Sequence, residues 1–96
     1  PPVYYSLETN RLAIKYFINT PKNVIVKVTI EIFDMYDQHV KTLLIEAERW
    51  KGSNVEQWDG RNEEGQVVKN GRYVVVIIAK IEDEMATAKK LLAVLK

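Results

Sequence analysis

The sequence predicts an all-β chain, an antiparallel two-sheet sandwich of about seven short strands. Three observations carry that expectation. Apolar residues recur at a spacing of two through most of the chain. Clusters of Asn, Asp, Gly and Pro interrupt them at short intervals, as turns do. The longest apolar runs are rich in valine and isoleucine, whose branched Cβ disfavours a helix.

Each element follows from the local pattern. Residues 1–9 read as a linker or, at Val3 to Ser6, a short edge strand; residues 10–96 read as the sandwich domain. Leu12, Ile14, Tyr16 and Ile18 alternate with Ala13, Lys15 and Phe17, and the strand stops at Asn19-Thr20-Pro21-Lys22-Asn23. The clearest strand runs from Val24 to Phe33. Val24, Val26, Val28, Ile30 and Ile32 share one face, opposite the mixed face Ile25, Lys27, Thr29, Glu31 and Phe33. A strand follows over Val40 to Ala47, where Leu43-Leu44-Ile45 breaks the alternation and marks a bulge. Val55 to Trp58 is a short strand, followed by the turn-rich Asp59 to Gly65.

Gln66 to Lys69 leads into Asn70-Gly71, the pair that best tolerates the positive φ angles of a type I′ hairpin. Tyr73 to Ala79 is apolar on both faces and belongs in the middle of the fold. Met85 to Leu95 is ambiguous. Its Ala, Lys and Leu residues favour a helix, and Glu82-Asp83-Glu84 could cap one or form a hairpin turn. It is assigned as a strand because the preceding central strand needs an antiparallel neighbour. The expected core is Ile14, Tyr16, Val26, Val28, Ile30, Trp58, Tyr73, Val75 and Ile77.

Composition narrows the functional classes. At 96 residues and 47% hydrophobic, the chain makes one domain with one core. Fourteen basic residues against thirteen acidic ones leave a net charge of +1, which predicts no attraction to nucleic acid or an anionic membrane. With no cysteine there is no disulfide, thiolate nucleophile or cysteine zinc site. No run approaches the ~18 apolar residues of a membrane span. The opening Pro1-Pro2, without methionine, reads as a piece of a longer chain.

The segment from Trp58 to Tyr73 carries a spaced pattern. Trp58, Asp59, Gly60, Asn62, Gly65, Val68, Gly71 and Tyr73, with Ala79 after the next strand, resemble the signature of the FlgD-type immunoglobulin-like domain. The earlier strands over Ile14 to Ile18, Val24 to Phe33 and Val40 to Leu43 fit the same family, so the resemblance covers roughly residues 10 to 96. One departure is Tyr36-Asp37-Gln38-His39, where family members usually carry a glycine. The resemblance narrows the fold class to an immunoglobulin-like or fibronectin-III-like sandwich. It implies a domain first known from the bacterial flagellar hook-capping protein, also found as a C-terminal or tandem module of bacterial surface proteins and secreted enzymes. In those settings the module is a spacer, an assembly surface or a sorting element, and it is extracytoplasmic. The motif itself reads as structural: Trp58 in the core, Asp59 and Asn62 bonding their own backbone, and Gly60, Gly65 and Gly71 in the turns. Asn70 completes the hairpin pair, and Tyr73 holds a loop through its hydroxyl.

No catalytic constellation is expected. His39 is the single histidine, and it could form a triad only with Ser6 or Ser53, neither of which lies in a G-x-S-x-G elbow. Glu46 with Glu48, and Glu63 with Glu64, read as solvated carboxylates rather than a glycosidase pair. Asp59, Asn62 and Glu64 could offer oxygens to calcium, but Arg61 occupies an alternate position that a calcium loop reserves for a ligand. His39 with Asp37 supplies two metal ligands, not a site. Gly60 and Gly65 bracket no P-loop, lacking the Lys-Ser/Thr that follows. Tyr4, Tyr5 and Tyr16 with Lys15 resemble a stacking platform, but the neutral charge argues against nucleic acid.

Carbohydrate binding is the alternative with content. Trp50, in the polar stretch Glu46 to Ser53, is either an exposed platform or a loop anchor folded back on the sandwich, and Tyr36 or Tyr4 could join it on a shared surface. The expectation is therefore a non-catalytic spacer, anchoring or assembly module without cofactor or metal. It is monomeric in isolation and partnered by neighbouring domains of its parent chain or another surface protein. A carbohydrate-binding accessory module of a secreted hydrolase and a domain of a hook-capping protein are the alternatives.

Overall fold

The computed structural model describes residues 3–6, 11–21 and 23–95, with side chains from Leu12 onward. Its strands are β1 (Val3–Ser6), β2 (Arg11–Ile18), β3 (Val26–Asp34), β4 (His39–Arg49), β5 (Gly52–Trp58), β6 (Gly71–Ile81) and β7 (Glu84–Val94). Among the described residues there is no helix. Six strands form two antiparallel sheets, β4-β3-β6-β7 and β2-β5, packed face to face as an immunoglobulin-like sandwich. The seventh, β1, ties the sheets together. Val3 and Tyr4 run parallel to Leu92 and Ala93 of β7, while Tyr5 and Ser6 pair antiparallel with Leu12 and Arg11 of β2. The segment expected as an edge strand thus lies between the two sheets.

The alternation of the sequence becomes the core directly. β3 turns Val26, Val28, Ile30 and Ile32 inward, β2 turns Leu12, Ile14, Tyr16 and Ile18, and β6 turns Tyr73, Val75 and Ile77. Trp58, Val68, Leu92 and Val94 complete the cluster, so all nine expected core residues are buried. Each fully buried aliphatic side chain here contributes about 1.5–3 kcal/mol. Among the described residues no buried side-chain nitrogen or oxygen lacks a partner.

The bulge expected in β4 is present. Val28 faces Ala47 and Ile30 faces Leu44, leaving Thr29 opposite both Ile45 and Glu46. Glu46 takes φ 44° there, and its N–H donates to Thr29 Oγ1 at 3.0 Å. Met85 to Val94 is a strand, paired with β6 along its full length. Helix propensity loses because β6 offers a complete ladder and an apolar face.

The Asn70-Gly71 hairpin is not formed. Gln66 to Lys69 makes no strand, and its one bridge joins Val67 to Arg61. Asn70 has no positive φ, while Gly71, at 153°, is the first residue of β6. Physically, the segment crosses from one sheet to the other, so it has no adjacent strand to fold back on. The tight hairpin lies instead between β6 and β7, where Ile81 faces Glu84 across Glu82 and Asp83. Glu82 carries the positive φ, 52°, at the position where a type II′ turn prefers glycine.

At the β3–β4 turn the missing family glycine is explained. Asp37 takes the left-handed conformation itself, at φ 62°. Asp34 Oδ1 holds the turn by accepting the N–H groups of Tyr36 (2.8 Å) and Gln38 (2.9 Å).

Candidate functional site

The spaced motif folds into one loop that spends its polar groups on itself. Trp58 ends β5 with 1% of its surface exposed, and its indole Nε1–H donates to the Arg61 carbonyl at 2.9 Å. Tyr73 packs against it edge-on, ring centres 6.1 Å apart at 77°. The Tyr73 hydroxyl donates to the Lys69 carbonyl at 2.7 Å, holding the crossing segment down on the sandwich. Burial, reinforced by Asp34, raises the Tyr73 pKa above the ordinary tyrosine value, so the phenol stays a donor.

Asp59 Oδ1 accepts the Arg61 N–H at 3.1 Å, and Asn62 Oδ1 accepts those of Glu64 (3.0 Å) and Gln66 (2.9 Å). Gly60 (φ 75°) and Gly65 (φ 80°) supply the two left-handed residues the loop needs. Glu63 docks the loop on the opposite sheet. Its backbone N–H donates to the Val40 carbonyl, and its carboxylate accepts from the Thr42 N–H at 3.1 Å and pairs with Lys41 Nζ at 3.1 Å. Those contacts hold the Glu63 carboxyl below its ordinary range, the Thr42 N–H first and Lys41 next.

This geometry offers a metal ion nothing convergent. The Asn62 carbonyl oxygen already accepts two backbone bonds and Asp59 is engaged with Arg61. Among the described residues no group of three or more His, Cys, Asp and Glu side chains could hold a metal. His39 is taken up at the β3–β4 end, with Nε2 at 2.8 Å from Thr42 Oγ1 and its ring edge-on to Phe33. Ser53, beside Gly52 at the start of β5, lies beyond the far end of β4 from it. Ser6, like Tyr4 and Tyr5, falls outside the described side chains. Glu46 pairs with Lys80 at 3.8 Å.

Trp50 sits at the corner where β4 gives way to β5 and the chain changes sheet. Its side chain is 56% exposed, and its carbonyl accepts from Asn54 Nδ2 at 3.0 Å. Ile25, also exposed, precedes the Val26 that pairs with Arg49, at this same end. Tyr36, 87% exposed, lies at the opposite end of the eleven-residue β4, roughly 30 Å away at strand rise. The two aromatics do not share a surface.

Beside Trp50 the structure shows a clasp that sequence reading missed. Arg49 Nε and Nη2 grip the Glu56 carboxylate at 2.6 and 3.0 Å, and the Tyr16 hydroxyl donates to the same carboxylate at 2.7 Å. Arg49 belongs to one sheet and Glu56 and Tyr16 to the other, so the ion pair spans the sandwich. Arg49 pulls the Glu56 pKa down; burial, then the Glu56 carboxylate, push the Tyr16 pKa well up. The only hint in the sequence is a glutamate at an inward position of β5, two residues before Trp58.

The comparisons agree with this architecture. FlgD from P. aeruginosa superposes with a TM-score of 0.73 over 97% of this chain and 69% of that one, at 15% identity, which establishes likeness of fold. No curated protein sequence matches the chain. The family model for the FlgD Ig-like domain matches residues 7–83, from before β2 through the β6–β7 turn, and the chain belongs to the FlgD Ig-like domain family.

Proposed function

We propose that the domain is a non-catalytic structural module that spaces, anchors or assembles neighbouring parts of a larger bacterial extracytoplasmic protein. The observation that carries this reading is the family motif, whose polar groups and glycines are committed to building one loop on a closed core. The pocket beside Phe17 is lined mostly by apolar side chains, among them Ile18, Ile77, Ala79 and Ala88, which suits packing rather than chemistry. Family membership favours a setting in the flagellar hook cap or on the cell surface, with partners drawn from adjoining domains.

A second reading keeps one specific observation. Trp50 stands exposed at the β4–β5 corner, as a sugar-stacking ring does, in an accessory module of a secreted hydrolase.

Tryptophan emission separates the two. With Trp58 buried and Trp50 open, iodide is expected to quench roughly half of the emission whichever reading holds. A panel of soluble polysaccharides decides. Unchanged quenching and spectrum across the panel support the spacer and assembly reading. Protection of the quenchable fraction by one glycan transfers the function to Trp50 and sinks the ligand-free reading.

A further inference from the structure

The sheet edges are treated unequally. β4 meets β3 through three register irregularities, a device that keeps an edge from templating a foreign strand. β7 has no such irregularity and pairs with β6 in unbroken register from Glu84 to Val94. On its other side β1 covers only Leu92 and Ala93. Among the described residues no strand pairs with Glu84–Leu91 on that side, and all eight side chains are exposed.

The hairpin fixes which backbone groups face outward. In a two-residue turn the closing residues, here Ile81 and Glu84, bond to each other. Alternation then gives the N–H and C=O groups of Glu84, Ala86, Ala88 and Lys90 to β6. Those of Met85, Thr87, Lys89 and Leu91 point to the open side.

The side chains are arranged with a two-fold sense. Acids gather at the start, in Glu82-Asp83-Glu84, and bases at the end, in Lys89-Lys90, with the small Ala86, Thr87 and Ala88 between. Turned end for end, the strand lays its acids against its own lysines. We propose that this edge pairs antiparallel with the same edge of a second copy, about an axis at Thr87. Thr87 then faces the partner's Thr87, Met85 faces the partner's Lys89, Ala86 faces the partner's Ala88, and Glu84 faces the partner's Lys90.

In that register the outward backbone groups meet one another, as an antiparallel ladder requires. Each charge pair occurs twice because the interface is isologous, and the two four-stranded sheets become one continuous sheet. A slip toward the chain end collides with β1 at Leu92. Lys90, which reaches across to the Lys15 carbonyl in the single chain, is long enough to turn to the partner's Glu84. The inner side is uncrowded, since Ala86 and Ala88 border a pocket of about 160 Å³ shared with Phe17 and Ala79.

A monomer is the expectation from sequence alone, and the edge argues for a weak dimer. A single paired edge buries less than the ~1,200 Å² of a stable interface. The inference is independent of the spacer reading.

Sedimentation velocity from about 10 μM to about 1 mM, a range suited to weak contacts, tests it. The sedimentation coefficient is expected to rise with concentration toward that of a dimer. Thr87→Pro removes an N–H that points away from β6, so it should keep the melting temperature and stay monomeric. Lys90→Glu puts like charges together at both ends and should weaken association about tenfold. Glu84→Lys combined with Lys90→Glu should restore it. A wild-type domain that stays monomeric throughout overturns the proposal, as does a dimer that the charge reversal leaves unchanged. If the proline also lowers stability, the charge pair alone decides.

Discussion

Replacing Trp58 with phenylalanine tests whether the family motif is a fastening. The indole is 1% exposed and does two things: it fills the core against Tyr73, and it donates to the Arg61 carbonyl. Phenylalanine keeps much of the packing and loses the donor. Arg61 is exposed, so water can replace the lost donor, and the net loss of the hydrogen bond costs about 0.5–1.5 kcal/mol. The smaller ring leaves about 40 Å³ unfilled, worth about 1 kcal/mol more at the cavity coefficient. Together the loss is about 1.5–2.5 kcal/mol, a sizeable share of the 5–15 kcal/mol that holds a typical domain. At about 4–8 °C per kcal/mol for a chain of this size, the midpoint should fall by roughly 6–20 °C. Trp58→Ala should cost at least the 3–5 kcal/mol of other large core truncations. Urea denaturation followed by far-ultraviolet circular dichroism measures both. A Trp58→Phe domain within 0.5 kcal/mol of wild type, by the usual tolerance for surface changes, would refute the fastening role of the indole N–H.

The inter-sheet clasp makes stability depend on pH at both ends of the scale. Glu56 has its folded pKa lowered from 4.5, so its contribution is present above about pH 4.5 and is lost as pH falls through the folded value. Tyr16 has its folded pKa raised above 10.0, so its contribution is present below about pH 10 and is lost as pH rises toward the folded value. Glu63 titrates in the same acid window, so the comparison is between wild type and Glu56→Gln. The variant should lose about 1–3 kcal/mol at neutral pH and show a flatter acid limb in urea midpoints; an unchanged acid limb would remove the clasp from the account. At the β3–β4 turn, Asp37→Gly relieves a left-handed residue. It should stabilise the domain by about 0.5–1 kcal/mol, part of the relief being offset by the freedom of glycine in the unfolded chain. A lowered thermal midpoint would count against strain at Asp37.

The sandwich was legible because its core is written at a spacing of two, and every expected core residue, from Ile14 to Ile77, is buried. The bulge in β4 was legible for the same reason, as a break in that spacing. What local pattern misread was the location of the tight hairpin. Asn70-Gly71 has the right turn chemistry but enters a strand after a crossing, while Glu82 accepts a positive φ because eleven paired residues of β7 hold it there. The clasp was invisible for another reason. Tyr16 and Glu56 are 40 residues apart, and only strand pairing brings them to one carboxylate. Trp50 and Tyr36 looked combinable in sequence, and the length of β4 separates them.

The position of β1 has a consequence for a chain under tension. β1 and β7 lie side by side and parallel, Val3 against Leu92 and Tyr4 against Ala93. A pull that draws the start of β1 backward and the end of β7 forward slides these strands past each other, loading their shared bonds together rather than peeling them in turn. The antiparallel contacts of Tyr5 and Ser6 with β2 back that joint up. Stretching is therefore resisted first at this short shear joint, before load reaches the ladders of the two sheets.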